Sequence, residues 1–311
     1  MMTSFILLVY LVLALFLVLK SSDWAIYRST RLAEFFGLPK YIIGFLVVAV
    51  ISILPETFIA ITSALEGVPA FGLGTLFGSN VADLSLVFAL VVLASGRNLK
   101  VESKVIKNRF LYTGMIALPL FFGLNGYYTR IEGLLLVGLG ILFYLYIFKS
   151  TRSEKRIDRG PFSFWDAFFL LLSMAGLLLG AYLTVKFGVA LATRLQINPI
   201  LVGMFVVGLG TTLPELFFSI KAARHNHDGL ALGDILGTVI ADATIVVGLV
   251  ASISPFAFNP RIVYVSGIFM FAAIALLLHF MKTGKKLTSK EAILLVLFYL
   301  IFAVTEFITG N

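Results

Sequence analysis

Four carboxylates occur as two equally spaced pairs in strongly apolar parts of the chain. Glu56 precedes Asp83 by 27 residues, and Glu215 precedes Asp242 by the same interval. Each member of the second pair lies 159 positions after its counterpart in the first. A carboxylate in apolar surroundings is costly unless it is paired or binds a cation. The pattern therefore predicts a cation site built from two related segments.

The segments around these acids repeat each other. Residues 47–90 align with residues 206–249 without a gap, and 15 of the 44 positions are identical. The repeated motif begins Leu-Pro-Glu, at residues 54–56 and again at residues 213–215. An internal duplication that keeps its acids in register indicates an ion site shared by two half-proteins.

Hydroxyl groups accompany the acids at helical spacing. The pairs separated by four residues are Ser52 and Glu56, Thr211 and Glu215, Ser79 and Asp83, and Thr238 and Asp242. Residues four apart share one helix face. The proline in each Leu-Pro-Glu motif also frees the carbonyl four residues earlier, in Ile51 and Gly210. Such an all-oxygen site suits hard cations, and Ca²⁺ especially, because it accepts six to eight oxygen ligands in irregular geometry.

Glycines at the same spacing precede the two aspartates. They are Gly74 and Gly78 in the first repeat and Gly233 and Gly237 in the second. Small residues four apart let helix backbones approach closely in a membrane. The spacing predicts that the helices bearing the acids converge.

The composition places the chain in a membrane. Hydrophobic residues make up 60% of it and charged residues 13%, whereas a soluble domain has roughly 25% charged residues. The absence of cysteine excludes disulfides and thiolate metal sites. The net charge of +8 does not indicate nucleic acid as a partner, because no soluble segment interleaves basic and aromatic residues.

Ten apolar stretches are long enough to cross a bilayer. They lie near residues 4–19, 40–65, 69–95, 110–127, 131–149, 164–185, 198–222, 229–256, 261–281 and 290–308. Twenty of the 24 Lys and Arg residues fall in or beside the loops that lead from an odd span to an even one. The positive-inside tendency predicts that these loops are cytoplasmic and that both termini are extracellular, in a multi-pass protein of the cell membrane.

The duplication divides the chain into two five-helix halves. We expect a first half at residues 1–149 and a second half at residues 163–311, joined by a cytoplasmic linker at 150–162. The repeats themselves lie at about residues 44–95 and 203–254. An odd number of spans inverts the second half, which predicts an all-α integral membrane fold of two inverted five-helix repeats. Such symmetry permits alternating access to one central site.

These motifs resemble the alpha-repeats of the calcium/cation antiporter superfamily, and most closely those of its sodium/calcium exchangers. The family pattern is roughly G-T-S-L-P-E followed by G-N-x-x-G-S-N-x-x-N/D. The second repeat matches it from Gly210 to Glu215 and from Gly233 to Asp242, and the first matches it at Leu54-Pro55-Glu56 and Gly78-Ser79-Asn80.

The resemblance implies roles for individual residues. Glu56 and Glu215 would be the central calcium ligands, and Asp83 and Asp242 would complete the central plane. Oxygens of flanking monovalent-ion sites would come from Ser52, Thr211, Thr212, Ser79 and Thr238, with backbone carbonyls near Ala49 and Gly208. The first and sixth spans would slide across this fixed core.

Two departures from the family pattern bear on the counter-ion. Ile53 stands where the family has a hydroxyl that helps to build an inner sodium site, and Asp83 stands where exchangers often carry an amide. Like charges at close range favour retention of a proton on one carboxyl group. Coupling to H⁺ therefore remains an alternative to coupling to Na⁺.

We predict a secondary active antiporter that exchanges Ca²⁺ for Na⁺, with no enzymatic activity, no catalytic residues and no bound cofactor. Its expected partners are Ca²⁺, Na⁺ or H⁺, and the lipid bilayer, and a monomer is compatible with the sequence. The alternatives are an H⁺-coupled exchanger of Ca²⁺ or another divalent cation and, more distantly, a cation channel or an intramembrane aspartyl protease. The protease motif G-x-G-D needs a glycine where this chain has Ala231.

Overall fold

Helices dominate the computed structural model, which describes residues 4–35, 52–101, 103–151 and 163–310. In chain order the helices are α1 (Ser4–Phe35), α2 (Leu54–Leu65), α3 (Pro69–Ser95), α4 (Ser103–Lys107), α5 (Arg109–Phe122), α6 (Arg130–Thr151), α7 (Phe164–Leu195), α8 (Pro199–Val202, Gly203–Val207 and Gly208–Thr211), α9 (Leu213–Arg224), α10 (Asp228–Ile253), α11 (Val263–Lys282) and α12 (Ser289–Gly310). The strands are β1 (Leu99–Lys100), β2 (Tyr127–Tyr128), β3 (Phe256–Ala257) and β4 (Lys286–Leu287).

Eight helical stretches in the described part of the chain are long and apolar enough to cross a membrane, with α8 and α9 forming one of them. In the two other predicted spans, the described residues form shorter helices. Of the span predicted at 40–65, the described residues form the 12-residue helix α2 after a turn at Ile53. The span predicted at 110–127 forms the 14-residue helix α5, which contains Pro119 and ends in a 3₁₀ turn at Gly123–Asn125.

The two halves repeat each other in backbone geometry. Helices α2 and α9 each have 12 residues and begin 159 positions apart, because a proline at the first turn favours helix initiation there. The residue before each helix has nearly the same conformation, with φ −72° and ψ −7° at Ile53 and φ −77° and ψ −7° at Thr212. Helices α6 and α12 each have 22 residues, again 159 positions apart.

The long helices α3 and α10 carry matching irregularities. Each contains one π-helical turn, at Asp83–Val87 in α3 and at Asp242–Val246 in α10. A π turn replaces the usual α-helical hydrogen bonding for one turn, and such turns are common at functional sites. Both aspartates singled out by the sequence stand at the first residue of these turns.

Two short antiparallel ladders connect the halves. Strand β1 pairs with β4, and β2 pairs with β3, so each ladder takes one strand from each half. Near the β1–β4 ladder, Arg97 donates to Asp228 at 2.9 Å, and the backbone N–H of Lys100 donates to the same carboxylate at 2.8 Å. The end of α3 and the beginnings of α10 and α12 therefore meet at one end of the molecule, which we call the β1–β4 end.

Helix α3 lies against helix α8 with almost no space between their backbones. A Cβ added at Gly78 would lie 2.6 Å from the carbonyl oxygen of Met204 and 2.7 Å from its Cα. A Cβ at Gly74 would lie 2.8 Å from the carbonyl oxygen of Ile200. The predicted close approach at the first glycine pair is confirmed. In the second repeat, the carbonyl of Gly237 accepts a hydrogen bond from the hydroxyl of Tyr144 at 2.7 Å.

Candidate cation site

Helices α2 and α9 bring the two glutamates into the interior. Each helix begins with Leu-Pro-Glu, so the glutamate lies in the first turn, directly after the break that separates it from the preceding segment. Glu56 is 1% exposed and Glu215 is 0% exposed. A negative charge at a helix N-terminus interacts favourably with the helix dipole, which offsets part of the cost of its burial.

The aspartates of α3 and α10 are buried as completely. Asp83 and Asp242 are both 0% exposed. Among the described residues, neither oxygen of either aspartate has a hydrogen-bond partner, nor has either oxygen of Glu215 or one oxygen of Glu56. Buried polar groups in folded proteins are nearly always satisfied, and a bare carboxylate in apolar surroundings costs several kcal/mol, on the order of 3 on insertion scales. These carboxylate oxygens without partners indicate that a cation or a proton must bind here to offset the cost of burial.

The four carboxylates lie close enough to interact electrostatically. Glu56 interacts with Asp83, Glu215 and Asp242, and Asp83 also interacts with Glu215 and Asp242. The structure thus brings the four predicted acids from both repeats into one region. Yet no three Asp, Glu, His or Cys residues of the described chain form a ready-made metal cluster. Hydroxyl and carbonyl oxygens must complete any ligand set here.

Hydroxyl groups of both repeats line the same region. The side chain of Thr211, in the second repeat, lies beside the carboxylate of Glu56, in the first. Thr212 donates to the carbonyl of Leu209 at 3.1 Å, and Ser79 donates to that of Leu76 at 3.1 Å. The hydroxyl of Thr238 has no partner among the described residues. A hydroxyl that donates to a carbonyl keeps lone pairs for a cation, so these groups remain competent as ligands.

Two backbone carbonyls expected at the site are already engaged. The carbonyl of Gly208 accepts from the hydroxyl of Thr211 at 3.1 Å and from the N–H of Thr212 at 3.2 Å. The same N–H of Thr212 makes a weaker, shared contact with the carbonyl of Gly210, which the proline was expected to free. A cation would have to displace one of these donors. The other two carbonyls, of Ala49 and Ile51, lie outside the described residues.

Ser52 makes a hydrogen bond that the sequence did not predict. It lies four residues before Glu56, but its hydroxyl donates to Asp234 at 3.3 Å. The other oxygen of Asp234 accepts from Ser219 at 3.2 Å. Asp234 is 0% exposed and interacts electrostatically with Asp83 and Glu215, so it is a fifth acid of this region.

The sequence-based site missed Asp234 and also Asn80. Both amide atoms of Asn80 lack a partner among the described residues, although the side chain is fully buried. Both residues lie inside the repeated motif, at positions where the two copies differ: Thr75 corresponds to Asp234, and Val239 corresponds to Asn80. A search for acids shared by both repeats passes over them, whereas a search for any polar residue in these apolar segments would find them.

Both a protein-family model and curated proteins are similar to this chain in sequence. The family model described as sodium/calcium exchanger protein matches the chain twice, at residues 6–149 and 165–308. Among curated proteins, the chain is 30% identical over 236 residues to the uncharacterized membrane protein MJ0091 of Methanocaldococcus jannaschii, which covers 75% of this chain and 77% of that protein. It is also 25% identical to the sodium/calcium exchanger MaX1 of Methanosarcina acetivorans. That alignment, 346 residues long, covers 96% of this chain and 97% of MaX1.

Among solved structures, a similar one is the sodium-calcium exchanger NCX_Mj soaked with Na⁺ and Sr²⁺. The superposition has a TM-score of 0.72 with 26% sequence identity, and it covers 96% of this chain and 98% of the other. The all-α membrane fold expected from the sequence is confirmed by this match and by the twofold match to the family model.

Proposed function

This chain belongs to the sodium/calcium exchanger family, and from that premise we propose that it is a secondary active antiporter that exchanges Ca²⁺ for Na⁺ by alternating access. The observation that carries the proposal is the set of fully buried, unpartnered carboxylate oxygens contributed by both repeats. A buried site with that much uncompensated negative charge is stable only with cations in it. Two relatives of similar length, MaX1 and NCX_Mj, are named as sodium/calcium exchangers.

In this proposal Glu56 and Glu215 bind Ca²⁺ directly, since each presents free oxygen at the start of its helix. Asp83 and Asp242 complete the charge around the ion. The remaining ligands are drawn from the neighbouring hydroxyls, Ser52, Ser79, Thr211, Thr212 and Thr238, which also serve Na⁺. Ca²⁺ suits a site of this kind, because it tolerates six to eight oxygens at irregular angles.

Exchange follows from the charge of the site. When the site is empty and ionised, closing it off from water on both faces would bury several like charges together, which is strongly unfavourable. When cations fill it, that penalty disappears and the site can pass through an occluded state. We infer that helices α1 and α7, which pack along each other, slide over the fixed core to open either face.

The orientation and division of the chain are part of the proposal. With the odd-to-even loops in the cytoplasm, both termini are extracellular and the linker at 150–162 is cytoplasmic. The halves are then residues 1–149 and 163–311, which agrees with the bounds of the two family-model matches.

Coupling to H⁺ is the second candidate. It is favoured by the number of acids, which rises to five with Asp234, and by Ile53, which takes the place of a hydroxyl that the second repeat has as Thr212. More acid and fewer neutral oxygens suit protons better than Na⁺.

Transport in sealed vesicles tests both candidates. Purified protein is reconstituted, and uptake of ⁴⁵Ca²⁺ is measured under an outward Na⁺ gradient, under a pH gradient, and under neither. We expect uptake under the Na⁺ gradient. Uptake under the pH gradient alone would select the second candidate, and uptake under neither gradient would overturn antiport.

A further inference from the structure

Asp234 lies off the centre of the site, toward the β1–β4 end. Helix α10 begins at Asp228, which Arg97 holds at that end. At 1.5 Å per residue, Asp234 lies about 9 Å along the helix from its start, and Asp242 lies about 12 Å deeper. The acid is thus between the central site and one surface of the protein.

The surroundings of Asp234 are rich in oxygen. Ser219 and Ser52 hold one carboxylate oxygen each, and all three side chains are 0% exposed. Ser219 lies four residues after Glu215, so both residues share one face of α9. Glu215 interacts electrostatically with Asp234, and neither of its carboxylate oxygens has a partner among the described residues. An unpartnered carboxylate therefore lies one helical turn deeper than Ser219 on the same face of α9.

The first repeat has no equivalent of this arrangement. Thr75 occupies the position of Asp234, and its hydroxyl donates to the carbonyl of Phe71 within its own helix at 3.0 Å. Ala60 occupies the position of Ser219. Because the repeats are inverted, these residues lie on the opposite side of the central site. One side has an acid with two serines, whereas the other has the hydroxyls of Thr75 and Thr211 and no acid.

We propose that Asp234 and Ser219, together with Ser52, which this position shares with the central site, form a further cation-binding position on the β1–β4 side of the central site. The ligand is Ca²⁺, which this position receives before it reaches Glu215. The proposal rests on the proposed function, under which the β1–β4 end is cytoplasmic. It makes the transporter asymmetric: Asp234 lowers the KM for Ca²⁺ at the cytoplasmic face and leaves the outer face unaffected.

The test is Ca²⁺ self-exchange, which needs no knowledge of the counter-ion. Inside-out and right-side-out membrane vesicles are prepared from cells that produce the full chain, and ⁴⁵Ca²⁺ is exchanged for unlabelled Ca²⁺ from each face. For Asp234→Asn we expect the cytoplasmic KM to rise about tenfold or more, which corresponds to about 1.4 kcal/mol. The outer KM should stay within twofold. Equal changes at both faces, or none at either, would overturn the proposal.

A variant of the mirrored position serves as the control. Thr75→Val removes a hydroxyl that bonds only within its own helix, and it should leave the KM at both faces within twofold. If Asp234→Asn fails to fold, Ser219→Ala keeps the charge and removes one oxygen from the position. That variant should raise the cytoplasmic KM severalfold and leave the outer KM alone, and a face-independent effect would again contradict the proposal.

Direct binding separates this proposal from the proposed function. Equilibrium dialysis of the purified chain with ⁴⁵Ca²⁺ needs no transport. If the wild-type chain exchanges no Ca²⁺ but Asp234→Asn binds less of it than the wild type, the antiport proposal fails while the binding position stands. If the wild type exchanges Ca²⁺ and the variant equals it in both assays, the binding position alone fails.

Discussion

The two repeats agree far better in backbone than in side chains. The helix breaks at Ile53 and Thr212 have almost the same φ and ψ, and the π turns of α3 and α10 start 159 residues apart. The polar side chains differ at four positions near the site. The first repeat has Ile53, Ala60, Thr75 and Asn80 where the second has Thr212, Ser219, Asp234 and Val239.

This contrast separates two requirements. Alternating access needs two backbones of similar shape, because each half must offer the same range of positions to the moving helices. Ion selectivity and affinity depend instead on the oxygens in the site, and these can differ between the halves. The two halves thus have the same backbone shape, whereas the oxygen ligands are distributed unequally between them.

The largest expected effect concerns the residues that the repeats share. Glu56→Gln and Glu215→Gln each remove a charge from the centre, and we expect each to lower Ca²⁺ exchange at least 100-fold while the protein still elutes as a folded species. Glu66→Gln is the control, because Glu66 is an exposed residue at the end of the same helix α2. A variant at either central position with wild-type exchange would contradict the assignment of that glutamate.

A second test compares the helix contacts of the repeats. Gly78→Ala places a methyl group within 2.7 Å of the Met204 backbone, and overpacking of this kind costs about 1–3 kcal/mol. We expect the midpoint of thermal unfolding in detergent to fall by several degrees. By symmetry, Gly237→Ala should have a similar effect. Gly138→Ala in α6 is the control, since its Cβ would meet nothing within 4 Å, and an equal drop there would show that the glycine contact is not the cause.

A third test makes the first repeat more like the second. Ile53→Thr adds a hydroxyl that corresponds to Thr212. If Na⁺ is the counter-ion, the extra oxygen should lower the Na⁺ concentration for half-maximal Ca²⁺ exchange by a few-fold, measured at constant pH. An unchanged Na⁺ dependence, together with uptake driven by a pH gradient, would instead favour H⁺ coupling.

The smallest effects are expected at the surface contacts between the halves. Arg97→Gln breaks the ion pair with Asp228, but that carboxylate keeps the N–H of Lys100, and the arginine side chain is 28% exposed. We expect exchange within twofold of the wild type and a fall of at most a few degrees in unfolding temperature, since partly exposed ion pairs contribute little. Arg261→Gln, at the opposite end and within the second half, should cost more, because its partner Glu306 is 1% exposed and keeps only Ser266 as a side-chain donor among the described residues.

Much of the architecture is readable from the sequence, because the apolar stretches and the register of the acids depend only on local composition. The sequence singled out the two glutamates and two aspartates, and the structure buries all four. The π turns at Asp83 and Asp242 were not predicted, since they depend on how α3 and α10 pack against other helices. The ladders β1–β4 and β2–β3 also escaped prediction, because two-residue strands leave no pattern in the sequence.

The role of Asp234 shows a limit of reasoning from repeats. Internal identity finds the residues that both halves need, and those set the common chemistry. Internal identity does not detect functional residues that occur in one half only. Ser52 illustrates the consequence: its spacing placed it on the same helix face as Glu56, whereas its hydroxyl donates to Asp234 of the other repeat.

Each ladder takes one strand from each half, so neither half completes its own strand pairing. Two separate copies of one half, inserted in opposite directions, would complete each other's strand pairing in the same way. In such a homodimer both subunits carry the same sequence, and any mutation appears on both sides of the membrane. Fusion into a single polypeptide removes that restriction, because each half then has its own coding sequence. An aspartate at one position and a threonine at the equivalent position of the other half become possible only in the fused chain.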